Sequence, residues 1–171
     1  MLDLLYSRRS IRKYTQQLVE AEKIEKLIEA ALLAPSSRNR EAWEFVVVTG
    51  KEALKQISTS KPGSAAMLAE APLAIVVCGN PLESDVWVED CSIAAIIIQL
   101  AAQDLGLGTC WVQLRGRMYN QELSSSQYVK ESLKLPDHLE VECIISIGYA
   151  AETKKKKIKS ELSFNKIIHR S

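Results

Sequence analysis

Arg8-Arg9-Ser10-Ile11-Arg12-Lys13-Tyr14 concentrates three arginines, a lysine and a serine within six consecutive positions. A segment this short can aim several charge-assisted donors at one compact anion. Planar guanidinium forks suit phosphate oxygens, and the Ser10 hydroxyl adds a further donor. Taken alone, a run of this kind is more often a solvated basic turn than a binding site. A second donor-rich stretch, Ala34-Pro35-Ser36-Ser37-Arg38-Asn39-Arg40, carries hydroxyl, amide and guanidinium groups, although turn-forming residues after a helix need no ligand. A third, from Lys154 to Lys159, holds five lysines in six positions. Runs of that kind near a terminus are usually solvated, but Phe164, Ile167 and Ile168 follow it and suggest a segment that docks on something.

These positive clusters are local. The chain of 171 residues has 22 Lys and Arg against 21 Asp and Glu, a net charge of +1, which argues against a nucleic-acid footprint spread over the whole surface. A composition 47% hydrophobic and 25% charged fits an ordinary globular protein, and the length fits one domain over 1–171. Cys78, Cys91, Cys110 and Cys143 each sit in an apolar run and form no C-x-x-C pair, so core thiols in a reducing compartment are expected. His138 and His169 lie in polar surroundings, and no metal site is expected. The N-terminus carries Asp3 and three arginines but no long apolar core, so no signal peptide is expected. The longest apolar stretch, Ile93 to Ile98, is too short to span a bilayer. The expected location is the cytoplasm, with no membrane partner.

The elements that must position these residues follow from periodicity. Leu2, Leu5 and Tyr6 predict a short leading helix. Ile24, Leu27, Ile28, Ala31 and Leu32 form an apolar stripe that predicts a helix over 20–33, stopped by Pro35. Strands are predicted at Trp43–Val48, Leu73–Cys78, Thr109–Leu114 and Glu140–Ile147, with helical segments at Ala53–Ile57, Ser64–Glu70 (Ser64 as N-cap), Glu89–Leu105 and Ser124–Lys134. The helix from Glu89 is apolar on nearly every side, which predicts burial in the core or under a partner subunit. Gly106-Leu107-Gly108 follows that helix rather than a strand, the reverse of a dinucleotide-binding turn. Alternating helices and strands give an α/β-type domain with its sheet covered on both sides.

Four blocks in order resemble the nitroreductase family of flavin mononucleotide (FMN) enzymes. They are Arg8 to Tyr14; Ala34-Pro35-Ser36-Ser37-Arg38-Asn39 with Trp43-Glu44-Phe45-Val46-Val47-Val48; Leu105-Gly106-Leu107-Gly108-Thr109-Cys110-Trp111-Val112; and Ile147-Gly148-Tyr149 with its lysines. The resemblance covers essentially the whole chain. It implies an α+β fold, a three-layer α-β-α sandwich with a mixed, mostly antiparallel central sheet, in an intertwined homodimer with FMN at the interface. It places Arg8, Arg9, Ser10 and Arg12 at the phosphate and ribityl chain. Pro35, Ser36, Ser37 and Asn39 would reach the flavin from the other subunit. Trp111, Val112 and Gln113 would run beside the isoalloxazine, with the Gln113 backbone N–H donating to N5. Lys157 and Lys159 would complete the phosphate site. Two departures stand out: Glu41-Ala42-Trp43 replaces a Gln-Pro-Trp found in many members, so Glu41 is expected to repel an anionic substrate. The segment from Gly79 to Val88 is short where larger members carry a helical roof, which implies a compact branch with a more open pocket.

The implied chemistry is hydride transfer from NAD(P)H through flavin N5 to an electron-poor small molecule, a nitroaromatic or a quinone, by ping-pong kinetics. No side chain stands out as a catalytic acid or base. By family position, Arg12 and Lys13 are candidates for stabilising negative charge on the flavin ring. Two alternatives stay open: a different flavin reaction on this scaffold, such as dehalogenation, flavin fragmentation or azoline oxidation, and an FMN-binding sensor or store without turnover.

Overall fold

β2 (Leu73–Gly79) is buried at all seven positions because helices cover both faces of the sheet it belongs to. The computed structural model describes residues 1–170. Four strands, β1 (Trp43–Val48), β2, β3 (Gly108–Gln113) and β4 (Glu140–Gly148), lie in the order β1-β2-β4-β3. Every neighbouring pair is antiparallel, with Trp43 opposite Gly79, Leu73 opposite Ile147 and Gly108 opposite Gly148. The one parallel contribution among the described residues is an isolated bridge between Ser10 and Thr109 at the outer edge of β3.

Alternation along β2 separates two cores. Leu73, Ile75 and Val77 face one side with Ile145 and Ile147, under α2 (Ala21–Leu32) and α4 (Trp87–Asp104). Ala74, Val76 and Cys78 face the other, where Leu54 and Ile57 of α3 (Lys51–Ile57) and Val129 of α5 (Ser125–Leu133) pack. The fold is therefore an α+β sandwich of three layers. Sequence alternation of helices and strands suggested α/β crossovers. It could not fix strand direction: neighbouring strands are all antiparallel, and the helical crossover through α4 joins β2 to β3, which run parallel to each other on either side of β4.

The helix ends differ from expectation in small ways. Ser124 caps α5, its Oγ accepting from the Gln127 N–H at 3.1 Å, and Lys134 closes it in the left-handed region at φ 53°. Ser64 caps nothing; its N–H instead closes a turn on Lys61, and a 3₁₀ turn follows at Ala66–Ala69. α4 buries Cys91, Ala94, Ala95, Ile98 and Ala102 against the sheet but leaves Ile93 and Ile96 about two-fifths exposed on its far face. Positions 153–170 are exposed throughout, apart from two 3₁₀ turns carrying no regular structure. They are tied back where the Lys157 N–H meets the Tyr6 carbonyl and where Arg9 Nη1 meets the Lys155 carbonyl at 2.8 Å. No described helix is long and apolar enough to cross a membrane.

Candidate anion and cofactor site

Two glycines make room for the arginine segment. Gly108 and Gly148 face each other across β3 and β4. A Cβ on Gly108 would lie 2.8 Å from Ile11 Cγ1, and one on Gly148 would lie 2.6 Å from Pro72 and 2.9 Å from the Tyr14 ring. The segment is then stitched down on both flanks. Ile11 donates its N–H to the Thr109 carbonyl at 2.8 Å, Thr15 donates to Tyr149, and Ala151 donates to Lys13. Tyr14 is buried beneath, its hydroxyl 2.7 Å from both the Ile11 carbonyl and Ser146 Oγ, and burial pushes its phenol well above the usual range.

With its backbone fixed, the segment turns its cations outward around one cavity. Leu5, Arg8, Arg9, Ser10, Arg12, Lys154 and Lys157 line about 400 Å³, five cationic side chains with no carboxylate among the described residues of the wall. Lys159, expected here, begins a 3₁₀ turn and does not line the cavity; Lys154 does. Glu152 supports the arrangement from behind. Its Oε2 pairs with Lys154 at 2.7 Å and its Oε1 accepts the Arg12 N–H at 2.6 Å, and these two contacts hold its pKa down to about 2. A glutamate in that role left no mark in the sequence beyond its place two residues before the lysines.

Arg12 also belongs to a second cavity of about 340 Å³, shared with Lys61, Gly63, Ser64, Met67, Cys110 and Trp111. The cation-lined cavity therefore meets the second one at Arg12, beside the outer edge of β3. That edge is free beyond Thr109. In an antiparallel pair the backbone groups of alternate residues point to opposite sides. The Thr109 carbonyl points outward to Ile11, whereas Leu114 donates inward to Glu142. Trp111 and Gln113 share the phase of Thr109, so their N–H groups face outward, and neither donates to a backbone partner among the described residues. Val112 has the opposite phase and is buried in the second core.

The loop Pro35 to Asn39 is not part of this cluster. It sits at the opposite end of the sheet, where β1 begins and β2 ends. There the Ser37 N–H meets Asp90 Oδ1 at 2.9 Å, and Ser36 Oγ accepts the Glu41 N–H at 2.9 Å. Arg38, Asn39 and Glu41 all hold positive φ near 50–55°, a conformation that costs non-glycine residues energy. Within one chain the structure brings together Arg8, Arg9, Ser10, Arg12 and Lys157 beside Trp111. It keeps Pro35, Ser36, Ser37 and Asn39 apart from them.

The four cysteines are free and buried, and burial raises every thiol, that of Cys78 to about 12. They are packing groups rather than nucleophiles. No group of three or more His, Cys, Asp or Glu side chains among the described residues is arranged to hold a metal ion.

Residues 5–61 and 55–149 match the model of the nitroreductase family. The chain belongs to the nitroreductase family. Among solved structures, an FMN-dependent nitroreductase from Clostridium difficile R20291 is 48% identical, superposes with a TM-score of 0.98, and is matched over 100% of this chain and 99% of its own. A protein of Archaeoglobus fulgidus with the provisional name NADH dehydrogenase/NAD(P)H nitroreductase is 39% identical over 157 residues, 90% of this chain and 87% of that one. An FMN reductase [NAD(P)H] of Bacillus subtilis is 31% identical over 175 residues, 90% of this chain and 67% of its own length. Within the nitroreductase family fold, the arginine segment, the β3 edge and the strained loop are thus three separate parts of one chain, two joined at Arg12 and the third remote.

Proposed function

We propose that this protein is an FMN-dependent oxidoreductase that passes hydride from NAD(P)H to an electron-poor small molecule, a nitroaromatic or a quinone. The observation that carries the proposal is the continuity of the site. A cavity walled by five cationic side chains opens at Arg12 onto a strand edge with unpaired N–H groups. A ligand that fits has a dianionic end and a flat, hydrogen-bonding ring at the other, which is the chemistry of FMN. The names of the relatives, an FMN-dependent nitroreductase and an FMN reductase, support the same choice.

In this proposal Arg8, Arg9, Ser10, Arg12 and Lys157 hold the phosphate and the start of the ribityl chain, with Lys154 taking the place expected of Lys159. Charge-assisted bonds to guanidinium and ammonium groups supply most of that affinity. Trp111, Val112 and Gln113 form the strand beside the ring, and the outward Gln113 N–H is the donor for N5. Arg12, with Lys61 across the second cavity, puts positive charge where it eases electron gain by the ring. Lys13 is exposed beside Arg12 and lines neither cavity, so Arg12 is the stronger candidate. Held there, FMN would supply the hydride chemistry, and the part of these residues is to bind and orient it.

The homodimer belongs to the same proposal. Pro35, Ser36, Ser37 and Asn39 stand at the far end of the sheet, so only the loop of a second copy reaches a flavin at Arg12. Ile93 and Ile96 on the far face of α4 supply an apolar surface for that copy, as an all-round apolar helix requires. Free, buried thiols suit a cytoplasmic protein. With NAD(P)H and a quinone varied together, parallel double-reciprocal lines would support one open ring face serving both in turn. Intersecting lines would contradict that single-face arrangement.

A further inference from the structure

Glu142 lies inside the apolar run of β4 at 3% exposure, and a β-bulge puts it there. β2 pairs with β4 as Val77 opposite Cys143 and Cys78 opposite Val141, passing over Glu142. On the other side Leu114 and Arg115 both donate N–H to the Glu142 carbonyl, at 3.2 and 3.0 Å. A bulge of this kind breaks the strand's alternation and re-aims one side chain. Here the side chain turns toward β3, where Oε1 accepts from Gln113 Nε2 at 3.3 Å, and Gln113 Oε1 accepts from Trp111 Nε1 at 2.8 Å. Gln113 Nε2 also donates to the Arg115 carbonyl at 3.1 Å. With both amide hydrogens so directed, the glutamine oxygen has one orientation left, toward the indole.

The other carboxyl oxygen, Oε2, is sealed from solvent with no hydrogen-bond partner among the described residues; Arg115 Nε stands 3.9 Å away, too far for one. A buried acid half-satisfied in this way lowers stability. What it achieves is orientation. Burial holds its carboxyl above the usual range, and Glu89 on α4 pushes the same way. Gln113 and the Arg115 guanidinium pull it back. The neutral acid is the form that burial favours.

We infer that Glu142 is a positioning residue of the ring site: acting through Gln113, it locks the Trp111 indole that walls the cavity at Arg12 and holds the Gln113 backbone in line on the β3 edge. This rests on the FMN proposal above. Glu142 touches neither cavity, so its effect is transmitted entirely through the two side chains.

The test uses two variants of the full chain. Glu142→Gln keeps a neutral acceptor for Gln113, and Glu142→Leu keeps the volume without one. In flavin-free protein, hydrogen exchange of the Trp111 indole N–H, assigned with Trp111→Phe, should match wild type in Glu142→Gln. It should quicken by about twofold to tenfold in Glu142→Leu, the scale of one lost hydrogen bond. With FMN added, the position and shape of the flavin absorption band should change in Glu142→Leu alone, and the glutamine variant should restore them. Wild-type exchange in Glu142→Leu would overturn the relay. Altered exchange with an unaltered flavin band would overturn its action on the ring site. Failure of the FMN proposal itself would be seen separately, as wild-type protein that takes up no FMN while the contrast in exchange persists, and Glu142 would then be a packing device only.

Discussion

Gly108→Ala tests whether the arginine segment must lie flat on β3. The added Cβ would sit 2.8–3.0 Å from Ile11 Cγ1, Cβ and Cγ2. These atoms are the branch point of a stiff side chain, not its flexible end. Ile11 is buried, and its own N–H bonds the Thr109 carbonyl, so it cannot retreat without lifting the segment. Overpacking of this kind costs about 1–3 kcal/mol, and losing the backbone bond adds about 1 kcal/mol. For a chain of this size the sum corresponds to a fall in Tm of about 5–15 °C. Arg8, Ser10 and Arg12 flank Ile11, and displacing them forfeits at least one charge-assisted bond to the phosphate, about 1.5–3 kcal/mol. FMN affinity should therefore fall by roughly 10- to 150-fold. Thermal unfolding by circular dichroism and FMN titration by fluorescence quenching read the two effects. A variant that keeps both the Tm and the FMN affinity of wild type would refute the close-packing argument.

Three further outcomes are expected. Riboflavin, which lacks the phosphate, should bind about 100-fold more weakly than FMN, two charge-assisted contacts at about 1.5 kcal/mol each. The difference should narrow as salt rises, and equal affinities in fluorescence titrations would contradict the cationic cavity as the phosphate site. Ile96→Glu places a charge on the exposed face of α4 and should yield a monomer with little bound flavin. Light scattering that shows a dimer with full FMN content would count against that face as the interface. Glu152 is held to about 2, below its ordinary 4.5, so its support of Arg12 and Lys154 is complete above the higher value and fades as pH falls toward the lower. A carbon-detected NMR titration of its carboxyl should find the midpoint near the lower value, and one near 4.5 would mean the contacts with Lys154 and Arg12 do not form in solution.

The sequence carried the local structure well because local structure has local causes. The apolar stripe from Ile24 to Leu32 is α2, and the four strand segments match β1 to β4 to within a residue or so. Glu89–Leu105 is α4 but for two residues at its start and one at its end. Strand order was not legible, since pairing Val77 with Cys143 joins residues far apart in the chain, and the mostly antiparallel direction came from the family resemblance alone. The site divided in the same way. Arg8, Arg9, Ser10 and Arg12 were visible as a run of charge, but which lysine joins them depends on how the tail crosses the leading helix α1 (Leu2–Ser7), and Lys154 rather than Lys159 lines the cavity. Gly108 was legible only as one of two glycines that follow a helix, with the wrong order for a dinucleotide-binding turn, until Ile11 lay against it. Glu142 was invisible, because a bulge set by three strands decides where its side chain points.

The most direct test of the proposed function is an anaerobic absorbance spectrum of the purified protein with FMN, before and after NADH or NADPH and then a quinone or nitroaromatic. A bound flavin band that bleaches with the nicotinamide and returns with the acceptor is the expected result. A bound band that stays oxidised would contradict the reductase proposal and leave an FMN-binding protein without turnover. No bound flavin at all would return the arginine segment to an anion site for some other ligand.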